Sequence, residues 1–226
     1  KNNILGTYNL LKIFNKRNLQ IIIISTDKAA RPKSILGATK RISEIISQNF
    51  NSSSKYLSKI KIVRFGNVFG SKGSAIELFL EKINKKDPIT ITDYRVKRYF
   101  MSIREACNLV IQTTKLKNEN KIYILNMGTQ ILLKDIILKL AEIKKIDKKN
   151  LIIRKTGLKK GEKLFEELSI SKKYFNTRVK DILSTEEPNY SEDKVENLLK
   201  ILNKNLFKKN QIFLRKKIFT FLSKEK

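Results

Sequence analysis

Ser25-Thr26-Asp27-Lys28 sets two hydroxyls, a carboxyl and an amine in consecutive positions, directly after four isoleucines, Ile21–Ile24. An adjacent carboxyl and amine can divide the acid and base roles of one reaction. Taken alone, Asp-Lys in a loop is more often a solvated surface pair. The chain has no histidine. That excludes Ser-His and Cys-His nucleophiles and histidine-held metals, and no metal site is expected. Proton transfer falls to Lys, Asp, Glu, Tyr or Cys. A second polar stretch, Gly66-Asn67-Val68-Phe69-Gly70-Ser71-Lys72-Gly73-Ser74, also follows an apolar run, although glycines at turns are routine.

The elements that must hold these residues read as alternating strands and helices. Ile21–Ile24 predicts a strand buried on both faces, and in open α/β sheets ligands bind beyond the carboxyl ends of strands. After Pro32, Ser34 is placed to cap a helix to Asn51 that carries Gly37, Lys40 and Arg41. Ahead of the strand, Asn2–Asn15 has helical spacing. Behind it the pattern predicts a strand at Ile60–Phe65, a helix from Ser74 to about Lys85, and a strand at Ile89–Thr92 after Pro88. Further on it predicts a helix at Ile103–Leu116, a strand at Ile122–Asn126, a helix at Leu133–Lys145 and a strand at Leu151–Arg154. Gly157–Leu168 reads as a basic turn and helix start, and the tail from Ser191 as two lysine-rich amphipathic segments. The class is α/β with a parallel-rich sheet, smaller elements being added after Ser71. No internal repeat is visible.

The chain has 226 residues, 41% of them hydrophobic, and a formal charge of +28 from 49 basic and 21 acidic residues. Such a charge invites a nucleic-acid reading. However, the lysines are scattered over every predicted helix, and lysine, asparagine and isoleucine share codons rich in A and T. No specific nucleic-acid partner is expected. Cys107 is the single cysteine, so no intrachain disulfide forms and a cytoplasmic setting is expected. No window approaches the ~20 apolar residues of a membrane span. The eight glycines include no Gly-x-Gly, and the chain starts at Lys1, within a helical pattern. A fragment that lacks the phosphate-binding turn of a dinucleotide fold is the expectation.

The stretch STDKAARPKSILGATKR, Ser25–Arg41, closely resembles the core motif of CapD-like polysaccharide-biosynthesis proteins, nucleotide-sugar 4,6-dehydratases of the extended short-chain dehydrogenase/reductase superfamily. The likeness continues in order through Asn3–Thr7, RFGNVFGSKGS from Arg64, PITIT from Pro88, KRYFMS from Lys97 and GLKKGEKLFEEL from Gly157. It implies the C-terminal part of a Rossmann-like parallel sheet with a smaller substrate-binding α/β subdomain. Residues 1–75 would belong to the former, 76–190 mainly to the latter with some elements returning to the sheet, and 191–226 to a basic helical tail.

The resemblance further implies an NAD(P)-dependent lyase acting on a UDP-N-acetylhexosamine, UDP-N-acetylglucosamine in type, for surface glycan synthesis. In this family hydride leaves sugar C4 for tightly held NAD or NADP, and the new ketone acidifies the C5 proton. Water then leaves from C6 and hydride returns there, so the cofactor is regenerated each turnover. Asp27 and Lys28 occupy the positions of the catalytic acid and base, and both are expected on a loop edge rather than in the core. A lysine acts as a base only when deprotonated, which desolvation and a neighbouring cation such as Lys40 favour. An aspartic acid needs the opposite shift, which a closed apolar site supplies.

Lys40 matches the lysine of the superfamily's Tyr-x-x-x-Lys pair, which holds the nicotinamide ribose. One helical turn earlier stands Leu36, not tyrosine, which leaves Thr26 to hydrogen-bond the C4 hydroxyl; Leu36 otherwise reads as a core leucine. Ser25 and Gly66 fall at cofactor-binding positions. Asn67 resembles the asparagine that binds the sugar-nucleotide diphosphate, and Arg98 the arginine that reaches it. Glu162 resembles the carboxylate that bonds the uridine ribose. Lys159 stands where the family has arginine, keeping charge but not the bidentate fork. Alone, Asn67 would read as a turn asparagine and Arg98 as a surface residue.

The family implies a homo-oligomer, with membrane attachment, if any, at the cytoplasmic face of the inner membrane through a missing N-terminal region. The fragment by itself is expected to be inactive. A C5-inverting dehydratase or 5-epimerase of the same family remains an alternative. If the chain is complete as it stands, so does a non-catalytic basic binding module.

Overall fold

The computed structural model describes residues 1–71, 73–117, 120–206 and 210–223. Lys72 of the glycine-rich stretch, and 207–209 and 224–226 of the basic tail, lie outside the described residues. After a wider π-type turn at Asn2–Gly6 come α1 (Thr7–Phe14), β1 (Gln20–Thr26), α2 (Ile35–Ser52), β2 (Lys59–Phe65), β3 (Asn67–Phe69) and α3 (Ala75–Lys85). Next are β4 (Ile89–Ile91), β5 (Lys97–Arg98), β6 (Phe100–Ser102), α4 (Ile103–Thr113), β7 (Ile122–Leu125), β8 (Ile131–Leu132) and α5 (Leu133–Ile143). The chain ends with β9 (Ile153–Lys155), β10 (Phe175–Asn176), β11 (Ile182–Thr185), α6 (Glu192–Leu206) and α7 (Gln211–Leu222). Contacts divide it into two compact units, one of Lys1–Arg64, Leu109–Asn126 and Glu167–Lys226, the other of Phe65–Asn108 and Met127–Glu166.

The first unit is built on a five-stranded sheet of order β1-β2-β7-β11-β10. β2 and β7 run parallel with Ile62 opposite Ile122; β11 is antiparallel to β7, and β10 to β11. Ile60, Ile62, Val63, Ile122, Ile124 and Leu125 are buried, as central strands require. β1 forms where its isoleucines predict, but it is not buried on both faces. Its one sheet neighbour among the described residues is β2, so Ile21–Ile23 are half-buried and Ile24 is 40% exposed.

Apolar positions of α2 (Ala38, Ile42, Ile45) pack with Ile4 and Leu11 and with Val195, Leu198 and Ile218 of the tail. The two tail helices thus complete the core of this unit. Burial of Lys61 is compensated locally: its ammonium donates to the carbonyls of Thr113, Thr114 and Leu116 at 2.8, 2.7 and 2.6 Å, where the end of α4 lacks intrahelical donors. Lys61→Met is expected to cost about 1–3 kcal/mol by leaving those acceptors unmet. Urea unfolding measures it, and an unchanged midpoint would refute the capping role.

The second unit holds three two-stranded pairs, β3 with β6, β4 with β9 and β5 with β8. Phe79 and Ile83 of α3 and Ile137 of α5 pack on Ile89 and Ile91. Strands of two or three residues show no periodicity, which is why β3, β5, β6 and β8 are not predicted. The helix start expected in Gly157–Leu168 does not form; the segment is irregular, with a turn at Lys160 and Gly161. Gly157 and Gly161 take φ of +87° and +89°, left-handed values that break a helix. Among the described residues no helix is long and apolar enough to cross a membrane.

Candidate active site

β1 ends in a single tight helical turn, Asp27–Ala29. The Thr26 side chain caps it, accepting from the Lys28 N–H at 3.4 Å, and the Ala30 N–H donates to the Asp27 carbonyl at 3.2 Å. Asp27 Oδ1 accepts from Thr26 Oγ1 at 2.8 Å and from Lys28 Nζ at 2.9 Å. Lys28 remains 27% exposed, but Asp27 is fully buried. The loop-edge expectation therefore needs correction for Asp27: Ala29 and Ala30 behind it are also fully enclosed, and the turn is folded into the protein. Its Oδ2 finds no hydrogen-bond partner among the described residues. A buried carboxylate oxygen without a partner is costly in a fold and suits a group that gives or takes a proton.

The helix that follows starts as its sequence predicts, with Ser34 Oγ accepting from the Gly37 N–H at 3.1 Å. One turn on, Lys40 Nζ donates to the Ile24 carbonyl at 3.0 Å, at the same end of β1. Leu36 is 52% exposed, which overturns the core-leucine alternative. Ser25 is buried, and its hydroxyl donates to Glu44 Oε1 at 2.5 Å.

Glu44 belongs to a cluster that the motifs do not reveal. Its carboxylate takes Arg64 Nε at 2.7 Å and Nη2 at 2.6 Å, with Arg41 Nη1 at 3.3 Å. Arg64 Nη1 also reaches Glu187 Oε1 at 2.8 Å and the Leu168 carbonyl at 3.0 Å. Burial pushes the Glu44 carboxyl up, but Arg64, Arg41 and Ser25 outweigh it and hold it below the usual carboxylate range. Burial likewise opposes the charge on Arg64, and Glu44 and Glu187 more than restore it. An Arg and a Glu inside otherwise apolar runs were the only trace in the sequence.

In the second unit, Gly66, Asn67, Arg98 and Glu162 line one cavity of about 560 Å³. Asn67 is held by β-pairing opposite Phe100, and its N–H donates to the Tyr99 carbonyl at 2.9 Å. The Gly66 N–H donates to Met127 Sδ at 2.9 Å. Ser74 and Ala75 bring the start of α3 to the same cavity. There Ser74 Oγ accepts from the Glu77 N–H at 3.3 Å while Glu77 Oε2 accepts from the Gly73 N–H at 2.5 Å, one residue ahead of the N-cap donor that a capping box uses. Arg98 donates to the Lys97 carbonyl at 2.7 Å and the Leu164 carbonyl at 3.2 Å, with Glu162 Oε1 at 3.4 Å and Glu166 Oε1 at 3.7 Å. Glu162 Oε1 accepts from Thr92 Oγ1 at 2.7 Å. The exposed Lys159 does not line the cavity with these four; its backbone N–H donates to Glu162 Oε2 at 3.2 Å. A guanidinium, a helix N-terminus and a carboxylate on one cavity suit an anionic group joined to a hydroxylated one.

Residues 1–187 match the family described as polysaccharide biosynthesis proteins. The chain is 36% identical over 219 residues to the capsular polysaccharide biosynthesis protein CapD of Staphylococcus aureus, which covers 90% of this chain and 36% of CapD. It is 32% identical over 171 residues to a UDP-glucose 4-epimerase of Rickettsia rickettsii, covering 74% of this chain and 48% of that one. The chain thus spans about a third to a half of the length of these two relatives. The X-ray structure of Pen from Bacillus thuringiensis superposes with a TM-score of 0.73 at 30% identity, over 87% of this chain and 67% of Pen. The α/β fold is of the Rossmann type, and the chain belongs to the polysaccharide biosynthesis protein family.

Proposed function

We propose that this chain supplies the acid–base pair and the sugar-nucleotide cavity of a nucleotide-sugar 4,6-dehydratase acting on UDP-N-acetylglucosamine. The observation that carries the reading is the Asp27–Lys28 pair at the carboxyl end of β1, with one Asp27 oxygen left open. Elimination across C5 and C6 needs a base for the C5 proton and an acid for the departing C6 hydroxyl. Lys28 takes the first role and Asp27 the second, and Thr26, already donating to Asp27 at 2.8 Å, relays the C4 hydroxyl proton to Asp27, which then gives it to the departing C6 hydroxyl. In the second unit Asn67 and Arg98 bind the diphosphate, and Glu162, steadied by Lys159, bonds the uridine ribose.

NAD or NADP, when bound, supplies the oxidation at C4 and the return of hydride. The Lys40 ammonium, bonded to the end of β1, would hold the nicotinamide ribose, and Gly66, on the cavity of the second unit, is the other residue assigned to the cofactor. Ser25, committed to Glu44, serves that side of the site by fixing the strand end. The related UDP-glucose 4-epimerase supports a UDP-hexose as substrate. Leu36 in place of the superfamily tyrosine bears equally on a dehydratase and a 4-epimerase, and it is the Asp27–Lys28 pair, which an elimination uses, that favours the dehydratase.

The test is to incubate the protein carrying this sequence with UDP-N-acetylglucosamine and NAD in deuterated water. Loss of one water, with solvent deuterium at C5, is expected. A product that keeps its C6 oxygen and differs at C4 alone would replace the dehydratase by an epimerase, and inverted C5 would select the C5-inverting enzyme. Arg98→Lys is expected to weaken UDP inhibition and raise KM by about tenfold with little change in kcat, since lysine keeps the charge and loses the fork. Unchanged inhibition by UDP would remove Arg98 from the diphosphate site.

A further inference from the structure

Gly37 has no part in the chemistry above, yet glycine is disfavoured relative to alanine inside a helix. It lies in the first turns of α2. A Cβ at this position would stand 2.1 Å from the carbonyl oxygen of Lys28, 2.9 Å from its carbonyl carbon and 3.3 Å from Pro32 Cβ. The nearest atoms are backbone and cannot rotate aside. At Gly6, by contrast, a Cβ would meet nothing within 4 Å.

We infer that Gly37 is a positioning residue for the acid–base pair: its bare Cα lets α2 seat directly on the Lys28 carbonyl, which sets where the turn holds the Asp27 and Lys28 side chains. This rests on the roles proposed for those two residues. The turn has little room to yield elsewhere. Thr26 caps it from one side, and Ala29 and Ala30 are fully buried. The helix is no freer, because Ala38 and Ile42 next along α2 are fully buried in the core and Ser34 Oγ anchors the Gly37 N–H. An added methyl group therefore displaces the shorter element, the turn.

The experiment compares Gly37→Ala, Gly6→Ala and Lys28→Ala in the protein carrying this sequence, with rates expressed per folded molecule. Gly37→Ala is expected to lower kcat by about 10²-fold, the scale of a ~1 Å misplacement. It should also shift the limbs of the pH–rate profile and leave KM for the UDP-sugar nearly unchanged. Gly6→Ala should behave as wild type. A merely structural role lowers the folded fraction and leaves kcat and pH profile per folded molecule as they were, and that result overturns the inference. If Gly37→Ala does not fold, Ser34→Ala loosens the same seat at smaller cost. A reduced kcat with a shifted profile supports the seat, and wild-type values for both overturn it. Full activity in Lys28→Ala would defeat the assignment of the pair and the inference with it. An inactive Lys28→Ala beside an unaffected Gly37→Ala would defeat the inference alone.

Discussion

Asp27→Asn or Lys28→Ala is expected to lower turnover by at least the ~10²–10⁴-fold that a positioned general acid or base contributes. Asparagine fills the volume of Asp27 and keeps an oxygen for Thr26 Oγ1 and Lys28 Nζ, which now hold Oδ1 at 2.8 and 2.9 Å. What it lacks is an exchangeable carboxyl proton at the position of Oδ2, the atom without a partner among the described residues. The fold should therefore survive although the side chain is fully buried. Lys40→Ala should also be severe, because it removes a cation from the end of β1. Leu36→Met should cost under about tenfold, since an exposed apolar side chain is exchanged for another. Solvent-deuterium exchange at C5, followed beside product formation, separates the two halves of the pair. Exchange that persists in Lys28→Ala would show that another group takes the C5 proton.

The second large effect is on stability. Glu44→Gln is expected to destabilise the first unit by about 3–5 kcal/mol at neutral pH, the cost of leaving buried charges without their counter-ion. Arg64 and Arg41 both face Glu44, and both guanidiniums are fully buried. The pH dependence has a definite sign. The folded-state Glu44 carboxyl lies below its ordinary value of about 4.3, because Arg64 and Arg41 outweigh the opposing effect of burial. Between the two values the unfolded chain binds more protons, so the contribution is complete above the ordinary value and is lost as pH falls toward the folded one. The gap between wild type and Glu44→Gln should thus narrow on acidification below about pH 5. Urea unfolding at a series of pH values reads this directly. A gap that stays constant into acid would mean that Glu44 is not held as a carboxylate by the two arginines.

Much of this protein follows from local sequence. Ser34 and Ser74 stand where a side-chain oxygen can meet a free helix N–H, and both helices start there. The isoleucine run at residues 21–24 and the β-branched positions Ile60, Ile62 and Val63 favour strands. The motif residues Gly66, Asn67, Arg98 and Glu162 are each recognisable from their immediate neighbours, although their meeting at one cavity belongs to the tertiary structure. These features were legible because a cap, an alternation or a contiguous motif is decided within a few residues of itself.

What only the tertiary structure decided concerns long-range contact. Ile21–Ile24 read as fully buried, but burial depends on how many neighbours the strand acquires, and β1 pairs with β2 alone among the described residues. Leu36 is apolar yet exposed, and Asp27 is polar yet fully enclosed, since hydrophobicity sets a preference and packing sets the outcome. Arg64, Glu44 and Glu187 look like ordinary charged residues until three separate segments bring both carboxylates within 2.6–2.8 Å of the Arg64 guanidinium. Gly37 reads as a weak spot in a helix until the Lys28 carbonyl is seen against it. Each of these depends on the free energy of a contact between distant segments, which is written in no window of the sequence and exists only once the chain has closed on itself.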